Sequence, residues 1–398
     1  MKIYNRGLLT MLALIHTSCV ASPFTAWQES PNDPIYTPYV SSSLFAKDDY
    51  FPSVIFNAKM FNGNGAAYLY KMWHQSPDGI ALSYSNDGIN WTLVGTVITD
   101  PNAYHASVVY DAGAFGTGQY HYRMWYWTGS AGSVPPALPI QFAQSVDGVA
   151  WTTPVATTQD TTSYLTNTNF PGQPFYQFYG FGQVFYNAPA LSIPGQPYSF
   201  PYVAYFDSSA AEVAPQNTQE AVGLAYSSDG INWIRFGTEP VLLPLGTTTV
   251  WDGKYAYKAT VVKLDGVYHM FYSGSSETNN PNSSFAYTFG IGHATSTDGI
   301  NWTTDPDNPI FTINDPGEEW RNGRTLAPSV VISQDSTDCK GNRTVILQMW
   351  FSGGTNNGGS FLTINIGYAT LTLTWLCDKM WLKRKQTLTT KQCRGCKK

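Results

Sequence analysis

Ser85-Asn86-Asp87-Gly88-Ile89-Asn90-Trp91 closes a short β-rich run, Ile80–Tyr84, and the same motif occurs four times in this chain. The other copies are Ser145-Val146-Asp147-Gly148-Val149-Ala150-Trp151, Ser227-Ser228-Asp229-Gly230-Ile231-Asn232-Trp233 and Ser296-Thr297-Asp298-Gly299-Ile300-Asn301-Trp302. Asp-Gly provides the positive-φ positions of a tight turn between twisted antiparallel strands, and Ser and Asp side chains bond nearby backbone amides. The Trp three residues beyond Gly is placed to pack over the turn. These residues build hairpins, and no catalytic role is assigned to the four aspartates.

Two further elements repeat ahead of each turn. One is an aromatic run: Tyr70-Lys71-Met72-Trp73-His74, Tyr122-Arg123-Met124-Trp125-Tyr126, Tyr202-Val203-Ala204-Tyr205-Phe206, Tyr268-His269-Met270-Phe271-Tyr272 and Leu347-Gln348-Met349-Trp350-Phe351. Its alternation is that of a half-buried strand. The other opens each unit: Phe51-Pro52-Ser53-Val54, His105-Ala106-Ser107-Val108, Phe181-Gly182-Gln183-Val184, Lys258-Ala259-Thr260-Val261 and Ala327-Pro328-Ser329-Val330. Small residues followed by Val suit a crowded innermost strand. The fifth unit runs on to Ile366-Gly367-Tyr368-Ala369-Thr370, but its Asp-Gly turn never arrives.

Successive Asp-Gly aspartates lie 60, 82 and 69 residues apart, more than the roughly 40–45 that four strands need, so long loops are expected. No linker-like stretch separates the units, which argues against two stacked β-domains. The expected fold is all-β: a five-bladed β-propeller of four-stranded antiparallel blades over residues 45–375, with four or six blades as the alternatives.

Only 12% of the residues are charged and 43% are hydrophobic, which excludes a disordered chain; 35 Gly and 25 Pro speak against a helical one. The 26 Tyr and 13 Trp can fill sheet cores and form flat platforms for sugars. Lys2 and Arg6, the apolar run Leu8–Ile15 and the small residues Val20-Ala21-Ser22 have the layout of a signal peptide over 1–21. Export to the periplasm or the medium is expected, lipid anchoring through Cys19 being the alternative. Residues 22–44 are a lead-in, and no later run is long enough to span a bilayer.

Residues 376–398 hold eight Lys and Arg against Asp378, in a chain whose net charge is −5. The remainder is therefore acidic, which argues against a nucleic-acid partner. The basic tail reads as solvated, with an anionic surface as its alternative partner. Cys393-Arg394-Gly395-Cys396 has metal-ligand spacing but lacks a second pair. Disulfides among Cys339, Cys377, Cys393 and Cys396 are expected rather than a zinc site.

At Ile291-Gly292-His293-Ala294-Thr295-Ser296-Thr297-Asp298-Gly299-Ile300-Asn301-Trp302, trailed by Asp307-Asn308-Pro309-Ile310-Phe311, the chain resembles the propeller glycoside hydrolases of the furanosidase type, the arabinanases, xylosidases, levansucrases and invertases. Gly223–Trp233 with Glu239-Pro240-Val241-Leu242 is similar. The resemblance spans roughly residues 45–373. It implies a site at the axial end where the inner strands begin, with two Asp and one Glu as base or nucleophile, pKa-setting carboxylate and acid. The triad is not intact here, since Phe178–Gln183 of the third unit lacks the glutamate. The candidates at the expected mouth are Asp49, Asp252 and Glu319 as catalytic carboxylates. Asp48, Tyr50, His105, Tyr179, Tyr257, Lys258 and Arg324 are the candidate ligand-binding residues. The resemblance also implies an axial calcium in some relatives, but no ligand set for one is visible and no other cofactor or metal is expected.

Two functions follow as expectations. One is a glycosidase acting on glycans with a rearranged acid and base; the other is a non-catalytic carbohydrate-binding or surface-interaction propeller. A sialidase would need several converging arginines, and the blades contain only Arg123, Arg235, Arg321, Arg324 and Arg343. Carbohydrate is the expected partner and the expected state is a monomer.

Overall fold

The computed structural model describes residues 24, 26–37, 51–61, 67–128, 140–159, 175–187, 200–210, 220–246, 250–276, 288–313, 319–356 and 362–375. The expected signal peptide and the basic tail lie outside them. The described residues fold as a β-propeller. Among them no helix is long and apolar enough to cross a membrane.

Each sequence unit contributes antiparallel strands in the anticipated order, and those of the third and fourth units join in one ten-stranded sheet through the parallel bridge Glu220–Tyr255. The first runs Ser53–Phe56, Tyr70–Ser76, Gly79–Ser85 and Thr92–Thr99. The second runs Ala103–Tyr110, Tyr122–Thr128, Ile140–Ser145 and Val155–Ala156. The third and fourth begin with Phe175–Tyr186 and Tyr255–Leu264. The fifth pairs Arg324–Thr337, Arg343–Asn356 and Leu362–Trp375, and its missing outer strand comes from the opposite end of the chain. Gln28–Glu29 of the lead-in pairs antiparallel with Ala369–Thr370.

The Asp-Gly motif does two jobs. Within its own hairpin, Ser85 Oγ accepts the Gly88 amide at 2.9 Å while Asp87 Oδ1 accepts the amides of Ile89 and Asn90 at 2.9 and 2.7 Å. All four copies repeat this pattern. Between blades, the motif glycine receives the large aromatic of the preceding unit. Trp73 Nε1 donates to the Gly148 carbonyl, Trp125 Nε1 to that of Gly230, the Tyr205 hydroxyl to that of Gly299 and Trp350 Nε1 to that of Gly88. A Cβ at Gly148 would lie 2.9 Å from the Trp73 ring. Phe271 of the fourth unit has no such turn to meet; Trp27 of the lead-in packs edge-on against it, with ring centroids 5.4 Å apart.

The inner strands are stitched to one another in a cycle. The Val108 amide donates to Ser53 Oγ, Val184 to Ser107 Oγ, Val261 to Gln183 Oε1, Val330 to Thr260 Oγ1 and Val54 to Ser329 Oγ. The polar residue at the third position of each opening motif, Ser, Thr or Gln, is thus the acceptor for the next unit's Val. These strands surround an axial channel of about 540 Å³.

Candidate functional site

The first residue of four opening motifs sits in the left-handed region: Phe51 at φ 59°, His105 at 51°, Lys258 at 51° and Ala327 at 55°. Side chains rarely adopt this conformation without a compensating contact. Here the contact is an acceptor on the preceding unit's second strand. The Ala327 amide donates to Ser273 Oγ at 2.7 Å, the Phe51 amide to Ser352 Oγ at 3.0 Å and the Lys258 amide to Asp207 Oδ1 at 2.7 Å. Asp207, Ser273 and Ser352 follow the aromatic run at one equivalent position. Only in the third unit is that acceptor a carboxylate.

This corner geometry turns His105 and Lys258 toward the axis, where they form a buried cluster with Asp207. Lys258 Nζ makes an ion pair with Asp207 Oδ2 and a hydrogen bond to His105 Nδ1. The ammonium donates, so Nδ1 is the acceptor and the imidazole is neutral with its proton on Nε2. Burial, and then the Lys258 charge, hold His105 well below the ordinary imidazole range. Phe51 packs against the His105 ring at 3.6 Å and Trp127 at 5.6 Å. Gly180 passes over the cluster; a Cβ there would sit 3.5 Å from both His105 Nδ1 and Lys258 Nζ. Between Phe51, His105, Phe181, Lys258 and Ala327 a space of about 30 Å³ remains.

Glu220 completes the group. It opens the strand Glu220–Ser227 opposite Ser209, two residues along from Asp207, so both acids lie on one sheet face as diagonal neighbours. Glu220 Oε2 is closed off from solvent and has no hydrogen-bond partner among the described residues. Burial pushes its pKa up to about 8, with the Asp207 charge adding to the shift and Lys258 opposing it. At neutral pH Glu220 is a protonated carboxylic acid beside the Asp207–Lys258 ion pair, an arrangement that suits it to the role of an acid.

The structure brings His105 and Lys258 of the expected mouth residues into one cluster. Asp48, Asp49 and Tyr50 lie outside the described residues. Tyr179 lies in the strand Phe175–Tyr186, and Tyr257 is half-buried beside Lys258 with Tyr255 6.1 Å away. Asp252 is buried and accepts the Tyr272 hydroxyl at 2.9 Å, its pKa raised by burial against the effect of that bond. It makes no hydrogen bond to Asp207, His105, Lys258 or Glu220. Glu319 is exposed at the head of a short 3₁₀ turn, Glu319–Arg321. The Arg324 guanidinium lies over the Phe289 ring at 5.4 Å. Asp207 and Glu220 are not among the candidates the sequence offers at the mouth, because they lie on the second and third strands of the third unit rather than at the start of an inner strand. The available signal was Asp207 itself, a charge where the fourth and fifth units have serine. Among the described residues no group of His, Cys, Asp and Glu could hold a metal ion, and Cys339 is an exposed free thiol.

Two solved structures share this architecture. One is an N-acetylgalactosamine deacetylase from F. plautii in complex with blood group B trisaccharide, at 18% identity and TM-score 0.53, covering 87% of this chain and 95% of that one. The other is a xylan β-1,4-xylosidase from Bacillus halodurans C-125, at 12% identity and TM-score 0.50, covering 85% of this chain and 54% of the larger enzyme. At such identities the likeness carries the fold alone. No family model and no curated protein matches the chain.

Proposed function

We propose that this protein is a five-bladed, glycoside-hydrolase-like propeller that is exported, acts as a monomer and takes a glycan at its axial mouth. The five-membered cycle of inner-strand hydrogen bonds supports the blade count. The protonated Glu220 beside the Asp207–Lys258 pair carries the functional reading. Glu220 protonates the departing glycosidic oxygen, and the Asp207 carboxylate keeps the Glu220 proton in place. Asp49 remains the candidate for activating water. His105 Nε2–H donates to a sugar oxygen, and Phe51 and Trp127 form the aromatic wall around it. The trisaccharide bound by one structural neighbour, and the xylan in the name of the other, agree with a carbohydrate partner.

A second reading has its own observation. Asp207 is already neutralised by Lys258 and the gap at the ring is small, an arrangement suited to binding without turnover. Kinetics on oligosaccharides and aryl glycosides separates the two. Under the hydrolytic reading Glu220→Gln lowers kcat on poor leaving groups by about 10²–10⁴ and restores much of it on a nitrophenyl leaving group that needs no protonation. Wild-type activity falls as pH rises past about 8, where Glu220 ionises. Thermal stabilisation by sugars without release from any substrate would leave the binding reading standing. Turnover unchanged in Glu220→Gln would remove Glu220 as the acid.

A further inference from the structure

The repeat places a slot on the flank of the fourth and fifth blades that an indole fills, and the equivalent place in the second is open. In the fourth unit Trp251, seven residues before Lys258, lies against Gly274 and Gly292; Cβ atoms there would come within 2.1 and 2.6 Å of the indole. In the fifth, Trp320, seven residues before Ala327, lies against Gly353 and Gly367 at 2.4 and 2.8 Å. The glycines exist because a flat ring fills the slot. Strand register carries the comparison to the second unit: Tyr126 pairs with Gln141 as Tyr272 pairs with Gly292 and Phe351 with Gly367. There the position seven residues before His105 is Ile98 rather than Trp, and Thr128 and Gln141 replace the two glycines. The indole's place is an open cavity of about 450 Å³.

The lining of this cavity is chemically specific. The Tyr126 side chain is 2% exposed, and its hydroxyl has no hydrogen-bond partner among the described residues, whereas its counterpart Tyr272 donates to Asp252. The Gln141 amide is likewise unpartnered among them, and Asp100 uses one carboxylate oxygen on the Asn102 amide, leaving Oδ2. Trp151, Ile98 and Pro154 supply apolar walls. Burial, then the Asp100 charge, push the Tyr126 pKa up to about 12, so it remains a donor. A donor, an acceptor and an amide that is both, around a ring-sized space beside an indole, complement the mixed hydroxyl and C–H faces of a pyranose.

We infer that the flank of the second blade is a second ligand site, taking one neutral sugar ring in the slot that Trp251 and Trp320 fill in the fourth and fifth blades. Its position on the flank separates it from the axial mouth, so a chain engaged there keeps the mouth free. An acidic sugar is disfavoured as ligand because the Asp100 carboxylate, the one acidic group among the described lining residues, repels it.

The test is saturation-transfer NMR and calorimetric titration of the full chain with methyl glycosides of glucose, galactose, mannose and xylose. At least one is expected to bind saturably, with Tyr126→Phe weakening it about five- to tenfold. The triple variant Ile98→Trp with Thr128→Gly and Gln141→Gly rebuilds the fourth-blade arrangement and is expected to retain the fold while abolishing this binding. Glu220→Gln leaves it unchanged, which keeps the outcome independent of the axial proposal. No saturable binding in the wild type overturns the inference. So does binding that survives Ile98→Trp with Thr128→Gly and Gln141→Gly, or binding lost in Glu220→Gln but not in Tyr126→Phe.

Discussion

Single residues carry two separable duties in this fold, and Gly148 shows how closely they are joined. Its φ of 84° makes the hairpin turn, and its Cα and carbonyl receive Trp73 of the preceding blade. Gly148→Ala therefore suffers twice. A left-handed Ala costs about 1 kcal/mol or somewhat more, and displacing the buried indole adds a packing penalty of about 1–3 kcal/mol. The expected outcome is a loss of about 2–4 kcal/mol in denaturant unfolding. At Gly116, whose φ of 72° has nothing within 4 Å of an added Cβ, Ala should show only the smaller backbone term. Equal losses at the two positions would mean that the blade-to-blade contact contributes nothing. Asp87, Asp229 and Asp298 of the same motif are held below the ordinary carboxylate range; for Asp87 burial opposes this and the Asn90 and Ile89 bonds prevail, giving about 2. These acids stay ionised as caps, in keeping with their structural reading.

At the scale of elements, the legible part of the fold was whatever repeats. Four hairpins, five aromatic strands and five opening strands were readable because the same local physics recurs at the same spacing. The acid pair was not, because its meaning lies between elements: Asp207 is an ordinary third-unit residue until the next blade's left-handed corner needs an acceptor. The lead-in was equally opaque. Two residues, Gln28–Glu29, have no strand signature of their own and become a strand only where Ala369–Thr370 offers an unpaired edge. What fixes them is Arg321, fully buried, whose Nε and Nη2 grip both Glu29 oxygens at 3.0 and 2.8 Å and whose Nη1 bonds the Thr312 carbonyl. Arg321→Ala removes this grip from the partly buried Glu29 carboxylate, a change that costs about 3–5 kcal/mol where such a pair is fully desolvated. Glu29 is slightly exposed, so about 2–3 kcal/mol is expected, measured as a fall in Tm. Hydrogen exchange should locate the loss at Gln28–Glu29 and the facing edge Ala369–Thr370. Uniform exchange through all blades would show that the clamp is not local.

For the whole molecule, the segment 26–37 acts as a strap across the seam where the ring closes. Trp27 meets Phe271 of the fourth blade, Glu29 meets Arg321 of the fifth, Asp33 accepts the Tyr368 amide, and the Tyr36 hydroxyl bonds Ser83 of the first blade at 2.5 Å. Ahead of it, Phe24 stacks on His269 at 4.0 Å and on His293 at 5.1 Å. The two imidazoles share a hydrogen bond of 3.1 Å, and His293 Nδ1 bonds Asp305 at the same length. Burial, then the neighbouring His293, lower the His269 pKa to about 4 against the pull of Asp265. Burial also lowers His293, with Asp305 opposing it. Both are bases whose folded pKa lies below the unfolded value near 6.5. The folded state therefore prefers them neutral, and the stability they contribute is present above pH 6.5 and lost as the pH falls toward 4. Protonating this pair sets positive charge beneath Phe24 at one end of the strap, so acid should loosen the closure before the blades themselves. The check is a series of thermal melts between pH 7 and 4 on the wild type and on His269→Gln. Over that interval the wild type should lose the larger share of its Tm, with amide exchange rising first in residues 26–37. If the two proteins lose Tm in parallel, the acid-sensitive element lies elsewhere in the ring.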